Sequence, residues 1–230
     1  MLYSGSCRYM YGYKWTYFPA RLHTTKEIIY FLENIHNIKH VIDNNPTDLT
    51  NMIFGDIYHP GVINDSNLFI NNISNIIKNI NIKKLILEIS SRKVYNYNNI
   101  PINHYYCSRH ESLVKKYNLE LVHLSHAEID KDLDRIVELA KQIFNKDIEV
   151  HIIPHLNLKT NSTNNYIEER NNFVTSLENL CNIKNIKIHN IGKYIESIDD
   201  KPFLEEYMAD STHYSKGYDN AKRFLIGRIY

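Results

Sequence analysis

The stretch Met1-Leu2-Tyr3-Ser4-Gly5-Ser6-Cys7-Arg8 decides how the chain is read. Leu2 to Ser4 is short and apolar enough for a first strand, and Gly5 permits the sharp turn that a strand needs before a polar side chain can be presented at its carboxyl end. Such an opening predicts an open α/β sheet whose first strand ends at a reactive edge. The rest of the sequence fits this pattern, because short apolar runs alternate with helical periods.

Thr24 and Glu27 stand at capping-box spacing, and Ile28, Ile29, Phe31, Leu32 and Ile35 then repeat at helical period. Met52 to Phe54 is expected as a brief strand ending at Gly55-Asp56. Leu68 to Ile80 reads as a helix led by Asp65 or Ser66, and Lys84 to Ile89 as a strong strand running into Ser90-Ser91-Arg92. Residues 94–118, rich in Tyr and Asn, are expected as an irregular insertion over the sheet. Ser125 and Glu128 open a second capped helix reaching about Phe144. Strands are expected at Ile148 to Pro154 and Ile186 to Ile188, and helices at Tyr166 to Cys181 and Lys216 to Ile229. This alternation favours an α/β fold with a mostly parallel sheet covered on both faces, and one domain over residues 1–230.

Composition narrows the function. With 230 residues and 43% hydrophobic content the chain can bury a sizeable core. A formal net charge of +1 supplies no strong field toward nucleic acid or an anionic membrane. No apolar run is long enough for a membrane span, and no basic segment leads into an apolar one, so no signal peptide is expected. Three cysteines (Cys7, Cys107 and Cys181) are too few and too odd for a disulfide framework, which fits a reducing, cytoplasmic setting.

The chemistry-bearing candidates cluster at expected strand ends. A serine hydroxyl is a weak nucleophile until a histidine takes its proton, and that histidine needs a carboxylate to hold its tautomer. Ser6 can supply the first group, and Asp210 with His213, a late D-x-x-H, the other two. A second D-x-x-H exists at Asp56 and His59, so position, not the motif alone, favours the C-terminal pair. For Ser6 the plain alternative is a turn Gly-Ser; for His213 it is a surface helix start capped by Ser215. Cys7 is a rival nucleophile. Gly55, the amide of Ser6, and Ser90 through its hydroxyl or amide are candidate oxyanion donors; Gly55 and Ser91 can equally be turn residues. Arg8, His59, Arg92 and His155 can line a cleft that holds a polar or anionic acceptor. Arg8 and Arg92 can equally be surface counter-charges, and His155 a satisfied structural histidine. His104, Cys107 and His110 form a weak candidate metal set without an HExxH or paired CxxC pattern. The tyrosines around Tyr95 to Tyr106 can stack on a sugar ring or simply pack.

Together these residues resemble the SGNH (GDSL-type) superfamily of hydrolases and acyltransferases, in the subgroup that opens with Gly-Ser-Cys. Ser6 matches the serine block, Gly55 the second block, Ser90-Ser91 the third, and Asp210 with His213 the last. The third block usually reads Gly-x-Asn-Asp, and no asparagine stands here. The resemblance implies a three-layer, flavodoxin-like α/β/α fold and a Ser6–His213–Asp210 triad. It also implies acyl transfer on an acylated sugar or glycan, as an esterase or as an O- or N-acyltransferase. No cofactor is then required, although acyl-CoA can serve as donor to a transferase. A glycan-binding protein that kept the fold and lost the chemistry is the alternative, and a metal-dependent hydrolase a more remote one.

Overall fold

The computed structural model describes residues 1–4, 16–17, 20–54, 66–78, 82–208 and 227. The chain divides into two compact units, Met1–Val150 and His151–Tyr230. It is an α/β protein in which β-strands pair mostly in parallel.

In the first unit, β1 (Leu2–Ser4) lies between β2 (Thr16–Tyr17) and β3 (Lys84–Ile89), parallel to both. Leu2, Tyr3 and Ser4 pair with Leu85, Ile86 and Leu87. Leu85 to Ile89 are all buried, as expected for a strand covered on both faces. One polar residue, Glu88, is buried among them and accepts a hydrogen bond from the Tyr3 hydroxyl at 2.9 Å. Parallel neighbours need long connections. The chain returning from β2, on one side of β1, to β3, on its other side, carries α1 (Thr25–Asn34), a 3₁₀ turn (Ile35–Asn37), α2 (Ile38–Asp43), α3 (Thr47–Phe54) and α4 (Ser66–Lys78).

The start of α1 follows from its sequence. Thr24 caps it, its hydroxyl accepting from the Glu27 amide. The Glu27 carboxylate reaches back one residue further than the usual box, to the His23 amide. Ile28, Phe31, Leu32 and Ile35 form its buried stripe. Helix α1 also packs beside α7 (His126–Ile143), whose Ile129, Leu133, Ile136 and Ala140 are likewise buried. Buried Asp132 of α7 ties the two together, accepting from Thr25 Oγ1 at 2.6 Å and from Lys26 Nζ at 2.7 Å. The Ser125–Glu128 box forms as expected, with both reciprocal bonds.

Two expectations fail here. Met52 to Phe54 is the last turn of helix α3, not a strand. Residues 94–118 are ordered: β4 (Lys93–Tyr97) and β5 (Ile100–Asn103) make a hairpin, followed by α5 (His104–Cys107) and α6 (Glu111–Lys116). Its loop is Asn98-Asn99, both at positive φ (49° and 65°), the backbone of a two-residue turn that matches strand twist. β6 (Glu120–His123) joins the other side of β4, giving the antiparallel order β5-β4-β6.

β7 (Glu149–Pro154) begins in the first unit, where the Glu149 amide donates to Lys83 O at 2.9 Å. In the second unit it pairs in parallel with β8 (Lys187–Ile188) across α8 (Glu168–Ile183), a β-α-β crossover. α9 (Ile191–Ile198) and α10 (Leu204–Tyr207) follow. Gly192 of α9 sits so close to the Asn157 carbonyl that a Cβ there would lie 2.2 Å from its oxygen. Of the helix expected at Lys216 to Ile229, all but residue 227 lies outside the described residues.

Candidate functional site

Ser6, Cys7, Arg8, Gly55, Asp56, His59, Asp210 and His213 lie outside the described residues, so the proposed triad is not part of the geometry that follows. What is described is the sheet edge that Gly5-Ser6 follows in the sequence. β1 ends at Ser4, opposite Leu87, and β3 ends two residues later at Ile89. The chain therefore leaves both strands at one carboxyl edge, toward Gly5-Ser6 after β1 and Ser90-Ser91 after β3. At that edge Ser4 is 2% exposed and its hydroxyl has no hydrogen-bond partner among the described residues.

Ser90 is half-buried and anchored to His23, a residue that sequence reasoning did not single out. The amides of Ser90 and Ser91 both donate to the His23 carbonyl, at 3.0 and 3.1 Å. Ser90 Oγ stands 2.9 Å from His23 Nδ1. Of the two routes expected for Ser90 as an oxyanion donor, the amide is thus already engaged, and the hydroxyl is the one left. Ser91 behaves as a turn serine, its hydroxyl accepting from the Lys93 amide at 2.9 Å.

His23 is itself fixed from below. Its amide donates to Glu27 Oε2 at 3.0 Å, and the same oxygen accepts from Asn103 Nδ2 at 2.9 Å; Thr24 Oγ1 donates to Glu27 Oε1 at 2.9 Å. Burial pushes the Glu27 carboxyl up to about 7, against the pull of these three donors toward the charged form. Asn103 spends its remaining capacity on Arg21 O and, as the cap of α5, on the Tyr106 amide. One buried carboxyl so joins the start of α1, the end of β5 and the support of Ser90.

α5 closes the surroundings. The His104 ring centroid lies 6.3 Å from that of His23, edge-on, and Tyr105 lies 5.9 Å from it. Burial, with Lys93 adding to it, holds His104 down to about 4, so its ring is neutral near pH 7; its buried Nδ1 has no partner among the described residues. Arg109 stacks over the Tyr105 ring at 4.2 Å.

Arg92 and His155 are the other described candidates. Arg92 is half-buried, its carbonyl accepting from the Leu124 amide; among the described residues its buried Nε has no hydrogen-bond partner and its side chain no carboxylate. His155 belongs to the second unit, where its Nδ1 faces Leu156 O at 3.0 Å. A carbonyl only accepts, so that nitrogen carries the proton. The metal set does not assemble: among the described residues no group of three His, Cys, Asp or Glu could hold an ion. Cys107 is 1% exposed with its thiol pushed up to about 12 by burial and by Glu27, whereas exposed His110 stacks on Tyr106 at 4.3 Å. A thiol held protonated is a poor ligand and a poor nucleophile.

His23 carried one signal in the sequence: it directly precedes a capping threonine. Its pairing with Ser90, 67 residues away, is tertiary and leaves no local pattern. Among the described residues no helix is long and apolar enough to cross a membrane. The chain matches no protein-family model, and no curated protein or solved structure matches it.

Proposed function

We propose that this protein carries out serine-dependent acyl transfer on an acylated sugar or glycan, within a three-layer α/β/α fold of the SGNH type. The observation that carries the reading is the parallel register of β1 with β3. Ser4 and Ile89, which Gly5-Ser6 and Ser90-Ser91 follow in the sequence, end their strands at the same carboxyl edge, where open α/β sheets keep their reactive groups. In this reading Ser6 attacks an ester or thioester carbonyl while His213 takes its proton, and Asp210 orients His213 and offsets its charge. The Ser6 and Gly55 amides, with the Ser90 hydroxyl, receive the tetrahedral oxyanion. The intermediate collapses as the ester C–O or thioester C–S bond breaks and His213 gives its proton to the departing alcohol or thiol, leaving the acyl group on Ser6. Water then releases the acyl group in an esterase, and a sugar hydroxyl or amine does so in a transferase supplied by a donor such as acyl-CoA. Arg8, His59, Arg92 and His155 are the proposed contacts to a polar or anionic acceptor. The buried, free thiols of Cys107 and Cys181 support a reducing cytoplasmic setting.

A fluorophosphonate probe tests this. Wild-type protein should be labelled covalently, and Ser6→Ala and His213→Ala should not be. Equal labelling of wild type and Ser6→Ala would remove Ser6 as nucleophile. A folded wild type that takes no label would favour a glycan-binding protein that has lost the chemistry, the reading suggested by the missing third-block asparagine.

A further inference from the structure

We propose that His23 is a positioning residue that keeps the Ser90 hydroxyl available as an oxyanion donor, by presenting a protonated Nδ1 to Ser90 Oγ. The inference rests on the acyl-transfer reading and names the device that replaces the absent asparagine. The Ser90 and Ser91 amides are both spent on the His23 carbonyl, so the Ser90 side chain is its only route to an oxyanion. A serine hydroxyl has one proton. If Nδ1 is bare, that proton points at the imidazole, 2.9 Å away, and Ser90 can only accept. If Nδ1 carries hydrogen, it donates into a lone pair of Ser90 Oγ. The hydroxyl proton then turns outward, polarised by the bond it sits behind. Only the second arrangement stabilises a negative oxygen.

The backbone supports a role in positioning. Glu27 fixes the His23 amide, and the His23 carbonyl fixes the turn that carries Ser90. The imidazole and the hydroxyl therefore meet without either side chain setting its own backbone. An asparagine places an amide nitrogen where a histidine places Nδ1, so His23→Asn can still donate to Ser90, whereas His23→Ala cannot.

The test uses the full chain. Long-range ¹H–¹⁵N correlation spectra read the His23 tautomer directly, and the rate of fluorophosphonate labelling at Ser6 reads oxyanion stabilisation. The expected tautomer is Nδ1–H. Ser90→Ala should slow labelling by about 10²-fold, the usual cost of one oxyanion donor. His23→Ala should slow it by roughly tenfold, because the freed hydroxyl still samples the donating rotamer. The double variant should be no slower than Ser90→Ala, and His23→Asn should stay close to wild type. An Nε2–H tautomer overturns the inference even if Ser6 labels normally. So do multiplicative losses in the double variant, or a His23→Asn rate no better than that of His23→Ala. A wild type that does not label overturns the acyl-transfer reading itself, a result the tautomer measurement keeps distinct.

Discussion

Replacing Glu27 by glutamine should change how stability depends on pH, and the buried network fixes the sign. The Glu27 carboxyl is raised from an ordinary 4.5 to about 7 in the folded protein. The folded state therefore binds its proton more tightly than the unfolded chain does. Stability from this group is fully present below about pH 4.5 and is lost as pH rises through about 7. The difference between those two values, at 1.36 kcal/mol per unit, amounts to about 3 kcal/mol. Glu27→Gln removes the titration. Its remaining amide oxygen can accept from the His23 and Asn103 nitrogens, and its new amino group can donate to Thr24 Oγ1. The variant should thus match wild type near pH 5 and exceed it at pH 8 by an amount approaching 3 kcal/mol. Urea denaturation at a series of pH values, followed by circular dichroism, gives both curves. Parallel curves for the two proteins, or a variant that loses stability at pH 8, would refute the assignment of a neutral buried carboxyl.

Substitutions at two further positions test the backbone. Gly192→Ala places a methyl 2.2 Å from the Asn157 carbonyl oxygen, which is backbone and cannot rotate away. It should cost about 1–3 kcal/mol, read as a lower denaturation midpoint. Asn99→Val forces a β-branched residue into positive φ at the β4–β5 turn and should cost about 1–2 kcal/mol, whereas Asn99→Gly should cost nothing in the same assay.

How far the sequence could be read depended on the range of the signal. Local signals were reliable. Thr24 with Glu27 and Ser125 with Glu128 open helices where their spacing says, and Lys84–Ile89 is a strand because its apolar run is continuous. Met52 to Phe54 misled because three apolar residues carry no period; the helix shows only when Leu49 and Ile53 are taken with them. In 94–118, Asn98-Asn99 is a hairpin signal that was hidden among many other asparagines. In the candidate site, Ser90 stands out in the sequence as a polar residue just past a strong strand. Its partner does not, because the 67-residue contact to His23 depends on where the helix start and the strand end meet in space. The buried Glu27–Asn103 bond is illegible for the same reason, since nothing local marks an asparagine at a strand end as the partner of a helix cap.

The central claim is that Ser6 forms a covalent acyl-enzyme, and its most direct test is peptide mapping by mass spectrometry after brief exposure to an activated acetyl ester. The account expects the acetyl group on Ser6, accumulating in wild type and absent from Ser6→Ala. An adduct on Cys7 or Ser90 alone, or none on a protein shown to be folded, would contradict it.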